Sequence, residues 1–158
     1  MKIPFILNNE DIILDTEPDT KLLHLLRDNG IFSVKDGCKE GSCGSCTVLM
    51  DGRPVPSCII PSAAIRHSRI ETLEHFMTTQ DYSDIEAGFR QAGVTLCGYC
   101  NAGKIFAAWS IISTDPRPSK ENVIKTARYF PCRCTDAETL ASGIMMAAAT
   151  RRKRTSGK

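Results

Sequence analysis

Gly37-Cys38-Lys39-Glu40-Gly41-Ser42-Cys43-Gly44-Ser45-Cys46 is the stretch that decides how this chain is read. It sets three thiols at the spacing Cys-x4-Cys-x2-Cys, and Cys58 follows from a separate segment. Side chains this close in sequence converge on one centre when the backbone wraps around it. Glycine takes positive φ without steric cost and admits close approach of the backbone to a ligand, so Gly37, Gly41 and Gly44 equip the segment for that wrap. Amide N–H groups turned inward by the same wrap are placed to donate to sulfur and tune a bound centre. The chain reaches Cys58 after the turn signal Asp51-Gly52 and two prolines, Pro54 and Pro56.

This spacing is the plant-type pattern, in which four thiolates hold one [2Fe–2S] cluster. A second quartet follows as Cys97-x2-Cys100 and Cys132-x-Cys134, and the two quartets use all eight cysteines. Two redox-active metal centres in one small protein point to electron transfer. Structural zinc is the alternative, but its usual form is paired C-x2–4-C knuckles, which the first quartet lacks. On spacing alone the second quartet accommodates zinc nearly as well as iron. A disulfide framework belongs to small secreted chains, and no secretion signal is visible. The opening Met1-Lys2-Ile3-Pro4-Phe5-Ile6-Leu7 turns polar at Asn8-Asn9, too soon for the apolar core of a signal peptide. No apolar run is long enough to span a bilayer. The expected location is the cytoplasm.

At 158 residues the chain suits one ordinary domain or two small ones, and 42% hydrophobic content is enough for a core. Small domains bury proportionately little surface, and ligation of metal adds to folding free energy. A net charge of +2 leaves no nucleic-acid footprint. The basic run Arg151-Arg152-Lys153-Arg154 reads as a frayed, solvated tail. Contact with an acidic partner surface is the sharper alternative.

The pattern divides the chain in two, at 1–76 and 77–158. Residues 2–8 and 10–16 read as strands joined by a hairpin turn at Asn8-Asn9. Asp19 or Thr20 can cap a helix carrying Leu22, Leu23, Leu25 and Leu26, with Gly30 ending it. Thr47-Val48-Leu49-Met50 reads as a strand turning at Asp51-Gly52, and another strand falls near Ile70-Glu71-Thr72-Leu73. The second half reads as helices over 84–91, 102–114, 119–128 and 136–150. Ser119 caps the third, and Thr135-Asp136-Ala137-Glu138 has the capping-box form for the fourth. Ile144, Met145, Met146 and the alanines around them read as core. The fold class is α+β, with four short helices favouring a bundle. Both cysteine pairs of the second quartet precede helix starts, where the helix dipole favours an anionic group.

Asp36-Gly37-Cys38-Lys39-Glu40-Gly41-Ser42-Cys43-Gly44-Ser45-Cys46-Thr47-Val48-Leu49, with Ser57-Cys58, resembles the first cluster motif of the molybdenum hydroxylase iron–sulfur subunits. That family includes the small subunits of xanthine dehydrogenase, aldehyde oxidoreductase and carbon monoxide dehydrogenase. Cys97-Gly98-Tyr99-Cys100 and Cys132-Arg133-Cys134-Thr135 resemble its second motif. The resemblance covers nearly the whole chain. It implies a β-grasp ferredoxin-like domain followed by a four-helix domain, with one [2Fe–2S] cluster in each. Cys38, Cys43, Cys46 and Cys58 would hold the first cluster, and Cys97, Cys100, Cys132 and Cys134 the second. It also implies a large partner subunit carrying a molybdenum–pterin centre and a medium subunit carrying FAD. Leu96 stands where the family usually has a glutamine that contacts the pterin, so that contact would pass to backbone near Gly98 and Cys100. Asn101-Ala102 replaces the usual Thr-Pro, with Asn an equally good cap.

An all-thiolate [2Fe–2S] centre is dianionic when oxidised and gains a further negative charge on reduction. A nearby cation raises its potential, and Arg133 and Lys39 are the candidates by position; a solvated loop is the alternative for Lys39, and helix-end anchoring for Arg133. His24, His67 and His75 lack ligand-like spacing, which argues against a Rieske centre. No nucleophile–base set and no nucleotide-binding glycine loop occurs, so no catalytic residue is assigned. The reading is an electron-transfer subunit that is not catalytic alone. A free-standing two-cluster ferredoxin and a cysteine–zinc interaction module are the alternatives.

Overall fold

Lys2–Leu7 (β1) and Glu10–Asp15 (β2) pair antiparallel through a two-residue turn. Asn8 and Asn9 hold φ of 51° and 70° there, the left-handed conformation that a type I′ hairpin requires. The computed structural model describes residues 1–129 and 132–157. Thr47–Met50 (β3), Arg53–Pro56 (β4) and Arg69–Glu71 (β5) complete a five-stranded sheet in the order β2-β1-β5-β3-β4. β1 and β5 run parallel, while the other neighbours run antiparallel. β4 is an addition to the strands read from the sequence, and it carries Pro54 and Pro56. It lies at the sheet edge, where a missing N–H costs no ladder bond.

Leu22–Asp28 (α1) buries Leu22, Leu23, Leu25 and Leu26 against Ile3, Phe5, Val48, Ile65 and Ile70. Neither Asp19 nor Thr20 caps this helix; Lys21 is the N-cap and offers no side-chain bond. The free amides of Leu22 and Leu23 donate instead to the carbonyls of Ile60 and Ser57, at 2.8 and 3.1 Å. Tertiary partners thus replace a local cap, and they tie α1 to the segment that carries Cys58.

The remaining helices are Leu73–Phe76 (α2), Gln80–Ala92 (α3), Asn101–Thr114 (α4), Lys120–Ala127 (α5) and Ala137–Ser156 (α6). A five-stranded mixed sheet with six α-helices among the described residues makes the fold α+β. α3 starts earlier than its pattern indicates because the Thr79 hydroxyl accepts from the Tyr82 amide at 3.2 Å. Ser119 caps α5 as expected, accepting from Asn122 N–H. The cap of α6 is Asp136 rather than Thr135, with Asp136 accepting from Thr139 N–H at 2.8 Å.

The helices share a core built on Phe76, Ile85, Phe89, Ile105, Phe106 and Ile144. α3 and α6 meet backbone to backbone, since a Cβ at Gly88 would lie 2.2 Å from the Ala147 nitrogen. Met145 packs on this core, but Met146 is exposed. The basic run is no frayed tail. It forms the last turns of α6, where Arg154 Nε donates to buried Asp84 at 2.8 Å and Arg152 donates to the Pro116 carbonyl at 2.6 Å. The acidic surface that this run meets includes the chain's own Asp81 and Asp84.

Candidate iron–sulfur centres

The first cysteine loop wraps as its glycines indicate. Gly41 and Gly44 hold φ of 81° and 77°. Gly37 serves by its missing side chain, because a Cβ there would stand 2.8 Å from Cys43 Sγ and 2.6 Å from Ser45 Oγ. The amides of Ser42 and Cys43 both donate to Cys38 Sγ, at 3.2 and 3.3 Å. Lys35 and Ser45 brace the loop by exchanging bonds across its base, Lys35 N–H to the Ser45 carbonyl and Ser45 hydroxyl to the Lys35 carbonyl. Cys46 and Cys58 are buried in the sheet core, while Cys38 and Cys43 are half-buried.

The second quartet sits where two helices begin. Cys100 is the N-cap position of α4, and Cys132 and Cys134 lie just before α6. Asn101 is not the cap; its side chain turns back to accept from Gly98 N–H at 3.0 Å. The two cysteine segments are pinned together by Thr135, whose hydroxyl donates to the Thr95 carbonyl at 2.6 Å and accepts from Thr95 N–H at 3.0 Å. Thr135 is thereby released from the capping role its sequence position indicates. Cys97 and Cys134 are exposed, so one side of this quartet faces outward.

The ionisation of the bare thiols tests whether a cluster fits. Hydrogen bonds from Ser42, then from the Glu40 and Cys43 backbone, lower Cys38 to about 6. Burial, then the adjacent Cys46 thiol, pushes Cys58 up to about 12. The Tyr99 backbone and the Cys134 thiol lower Cys97, and Cys97 in turn raises Cys134. Burial works to raise Cys132, but the Lys104 ammonium and the Cys134 and Thr135 amides outweigh it and bring it to about 7. Neighbouring thiols thus compete for ionisation within each group. Four thiolates can coexist at such distances when cations lie among them, which is what a cluster of two ferric ions supplies. Among the described residues no three His, Cys, Asp or Glu side chains converge on a single ion. Within the quartets, the amides of Ser42 and Cys43 converge on Cys38 Sγ and the amide of Cys134 donates to Cys132 Sγ.

Lys104 is the residue that sequence reasoning missed. It lies in the first turn of α4, is 1% exposed, and its Nζ donates to Cys132 Sγ at 2.7 Å. The two cations that the sequence singles out by position are solvent-facing. Arg133 is exposed, and Lys39, also exposed, faces Asp36 at 3.6 Å. Its being the one charged residue of α4 was the available signal.

The two quartets adjoin. The Lys35 ammonium donates to the Gly98 carbonyl of the second cysteine loop. Tyr99 Oη would lie 3.0 Å from a Cβ at Gly37. With its N–H on Asn101 and its carbonyl on Lys35, Gly98 has both backbone groups engaged within the chain. Leu96 packs on the helical core and lines a groove with Tyr82, Phe89 and Ile105.

Cysteines with amide donors on sulfur are the donor set an iron–sulfur protein uses. Residues 12–87 match the family described as 2Fe-2S iron-sulfur cluster binding domain, and residues 72–153 match the [2Fe-2S] binding domain. The chain is 39% identical over 130 residues to the nicotinate dehydrogenase small FeS subunit of Eubacterium barkeri, covering 82% of this chain and 83% of that one. It is 32% identical over 142 residues to the xanthine dehydrogenase iron-sulfur-binding subunit of Escherichia coli O157:H7, covering 88% and 89%. Quinoline 2-oxidoreductase from Pseudomonas putida 86 superposes with a TM-score of 0.84 at 34% identity, covering 96% of each chain. The chain belongs to the iron–sulfur subunit family of the molybdenum hydroxylases.

Proposed function

We propose that this chain holds two [2Fe–2S] clusters and relays electrons from a molybdenum–pterin centre in a large subunit to a flavin subunit or external acceptor. Cys38, Cys43, Cys46 and Cys58 hold the first cluster, in a β-grasp ferredoxin-like domain spanning 1–76. Cys97, Cys100, Cys132 and Cys134 hold the second, at the end of a four-helix domain spanning 77–158. The observation that carries this reading is the set of amide donors aimed at ligand sulfurs, Ser42 and Cys43 N–H on Cys38 and Cys134 N–H on Cys132.

Each bound cluster supplies a one-electron store; the chain supplies ligands, hydrogen bonds and spacing. Exposed Cys97 and Cys134 favour the second cluster as the one facing the large subunit, with Tyr99 beside them. Electrons would then pass to the first cluster where the Lys35–Gly98 hydrogen bond joins the two cysteine loops and Tyr99 lies close to Gly37. Leu96 offers the pterin only apolar contact, and Gly98 is already engaged, so the large subunit carries most of the pterin's hydrogen bonding. No helix among the described residues is long and apolar enough to cross a membrane, and we assign the complex to the cytoplasm.

Metal and sulfide analysis with EPR tests the reading. Four irons, four labile sulfides and two distinct reduced signals per chain are expected. Stoichiometric zinc without labile sulfide would overturn it.

A further inference from the structure

Lys104 is a buried cation with no carboxylate partner among the described ion pairs. A buried ammonium needs a partner that replaces the water it gives up. The ammonium points at Cys132 Sγ, 2.7 Å away. Its stem is fixed in the first turn of α4, one turn from Cys100. The other cations near the quartets are differently placed: Lys39 and Arg133 are exposed, and Lys35 is spent on the Gly98 carbonyl.

From this geometry we infer that Lys104 is the built-in counter-ion of the second cluster, a positioning residue whose fixed charge raises that cluster's reduction potential and leaves the first cluster's unchanged. The inference rests on the assignment of a [2Fe–2S] cluster to Cys97, Cys100, Cys132 and Cys134. Two ferric ions, two sulfides and four thiolates sum to a charge of −2, and one electron makes it −3. No bond forms or breaks in that step, and the electron comes from the molybdenum centre in turnover or from dithionite in a titration. An ammonium in hydrogen-bond contact with a ligand sulfur, shielded from water, attracts the reduced form more than the oxidised form. The hydrogen bond to sulfur acts in the same direction. The second cluster therefore holds its electron more firmly than the four thiolates alone would allow.

The test is an EPR-monitored redox titration of the full complex, comparing wild type with Lys104→Met, Lys104→Gln and Lys104→Arg. Cys43→Ser identifies the first cluster's signal. In Lys104→Met and Lys104→Gln the second signal should show at least a tenfold lower reduced-to-oxidised ratio at fixed poise, about 59 mV for one electron. The first signal should stay where it is, and Lys104→Arg should recover most of the shift. A second signal present and unmoved in the neutral variants, or both signals moving together, overturns the inference. If Lys104→Met and Lys104→Gln lose the second cluster while Lys104→Arg keeps it, the charge itself is what retains the cluster, which supports the role. Loss in all three variants would mean that shape rather than charge matters, and would overturn it. A wild-type complex with no second signal would instead refute the two-cluster assignment.

Discussion

Gly103 and Gly44 touch backbone to backbone, although one lies in helix α4 and the other in the first cysteine loop. A Cβ at Gly103 would stand 2.8 Å from the Gly44 carbonyl oxygen and 2.9 Å from its Cα. That carbonyl already accepts from the Thr47 hydroxyl at 2.9 Å and from the Thr47 amide at 3.3 Å, so it has little room to yield. Gly44 lies between Cys43 and Cys46, and Gly103 lies three residues after Cys100. This contact sets how closely the two cysteine quartets approach.

Gly103→Ala should therefore push the first loop away from α4. Overpacking of this kind costs about 1–3 kcal/mol. The expected result is a lowered melting temperature of the complex and weakened magnetic coupling between the two reduced clusters. Unchanged melting with unchanged coupling would show that the contact does not govern their spacing.

Cys43→Ser should remove the first cluster's EPR signal and leave the second. Its thiol meets the Ser45 hydroxyl and its amide donates to Cys38 Sγ, both within the first loop. Electrons should still leave the molybdenum centre, while delivery to the flavin or external acceptor fails. Equal loss of both signals would count against two independent domains.

Thr135→Val keeps the shape of a buried side chain and removes the bonds that join Thr95 to Thr135. An unsatisfied buried polar group costs about 1–3 kcal/mol. The second cluster should be lost to a chelator several-fold faster than in wild type, with the first cluster's rate unaffected. Visible absorbance during chelation, with EPR at intervals, measures both.

Arg154→Ala strands Asp84, which is 4% exposed and has Arg154 as its partner at 2.7 Å. Leaving a buried carboxylate without its donor destabilises by roughly 1–3 kcal/mol. The helical half should melt earlier, read as accelerated hydrogen exchange in α3 and α6. Unaltered exchange there would mean that the basic run contributes nothing to folding.

Glu74 provides a pH dependence outside the clusters. Burial acts to raise its pKa, but the Ser33 hydroxyl and amide outweigh it, and the carboxyl is held below its usual 4.5. A depressed folded-state pKa means that the stabilisation is fully present above the unfolded-state value. It fades as pH falls through the lower, folded-state value. The stability difference between wild type and Glu74→Gln should therefore be constant at neutral pH and shrink below about pH 4.5. Acid lability of the clusters is common to both proteins and drops out of the difference. A difference independent of pH would place the effect elsewhere.

The cysteine pattern that places the chain in its family was the most legible part of this chain. Cysteine spacing is a local property: four residues between one pair and two between the next limit what a loop can enclose, whatever the rest of the chain does. The hairpin at Asn8-Asn9 was legible for the same reason, since both residues tolerate the left-handed conformation that the turn imposes. Most helices in the second half were legible from their apolar period, with their ends displaced by a few residues.

What the sequence by itself determined was therefore the number, order and spacing of the cysteines, and with them the α+β class and the family. Tertiary structure decided everything that depends on which residue meets which across the chain. Thr135 stands in a capping box by sequence, yet it bonds Thr95 and leaves the cap to Asp136. α1 has good capping residues before it, yet carbonyls from the Cys58 segment satisfy its amides. Arg133 and Lys39 adjoin ligands in sequence and face solvent, whereas Lys104, remote from Cys132 in sequence, is the cation that reaches its sulfur. Proximity in sequence fixes neither the direction of a side chain nor its burial. Those follow from the packing of α4 and the Cys132 segment, which only the folded chain brings together.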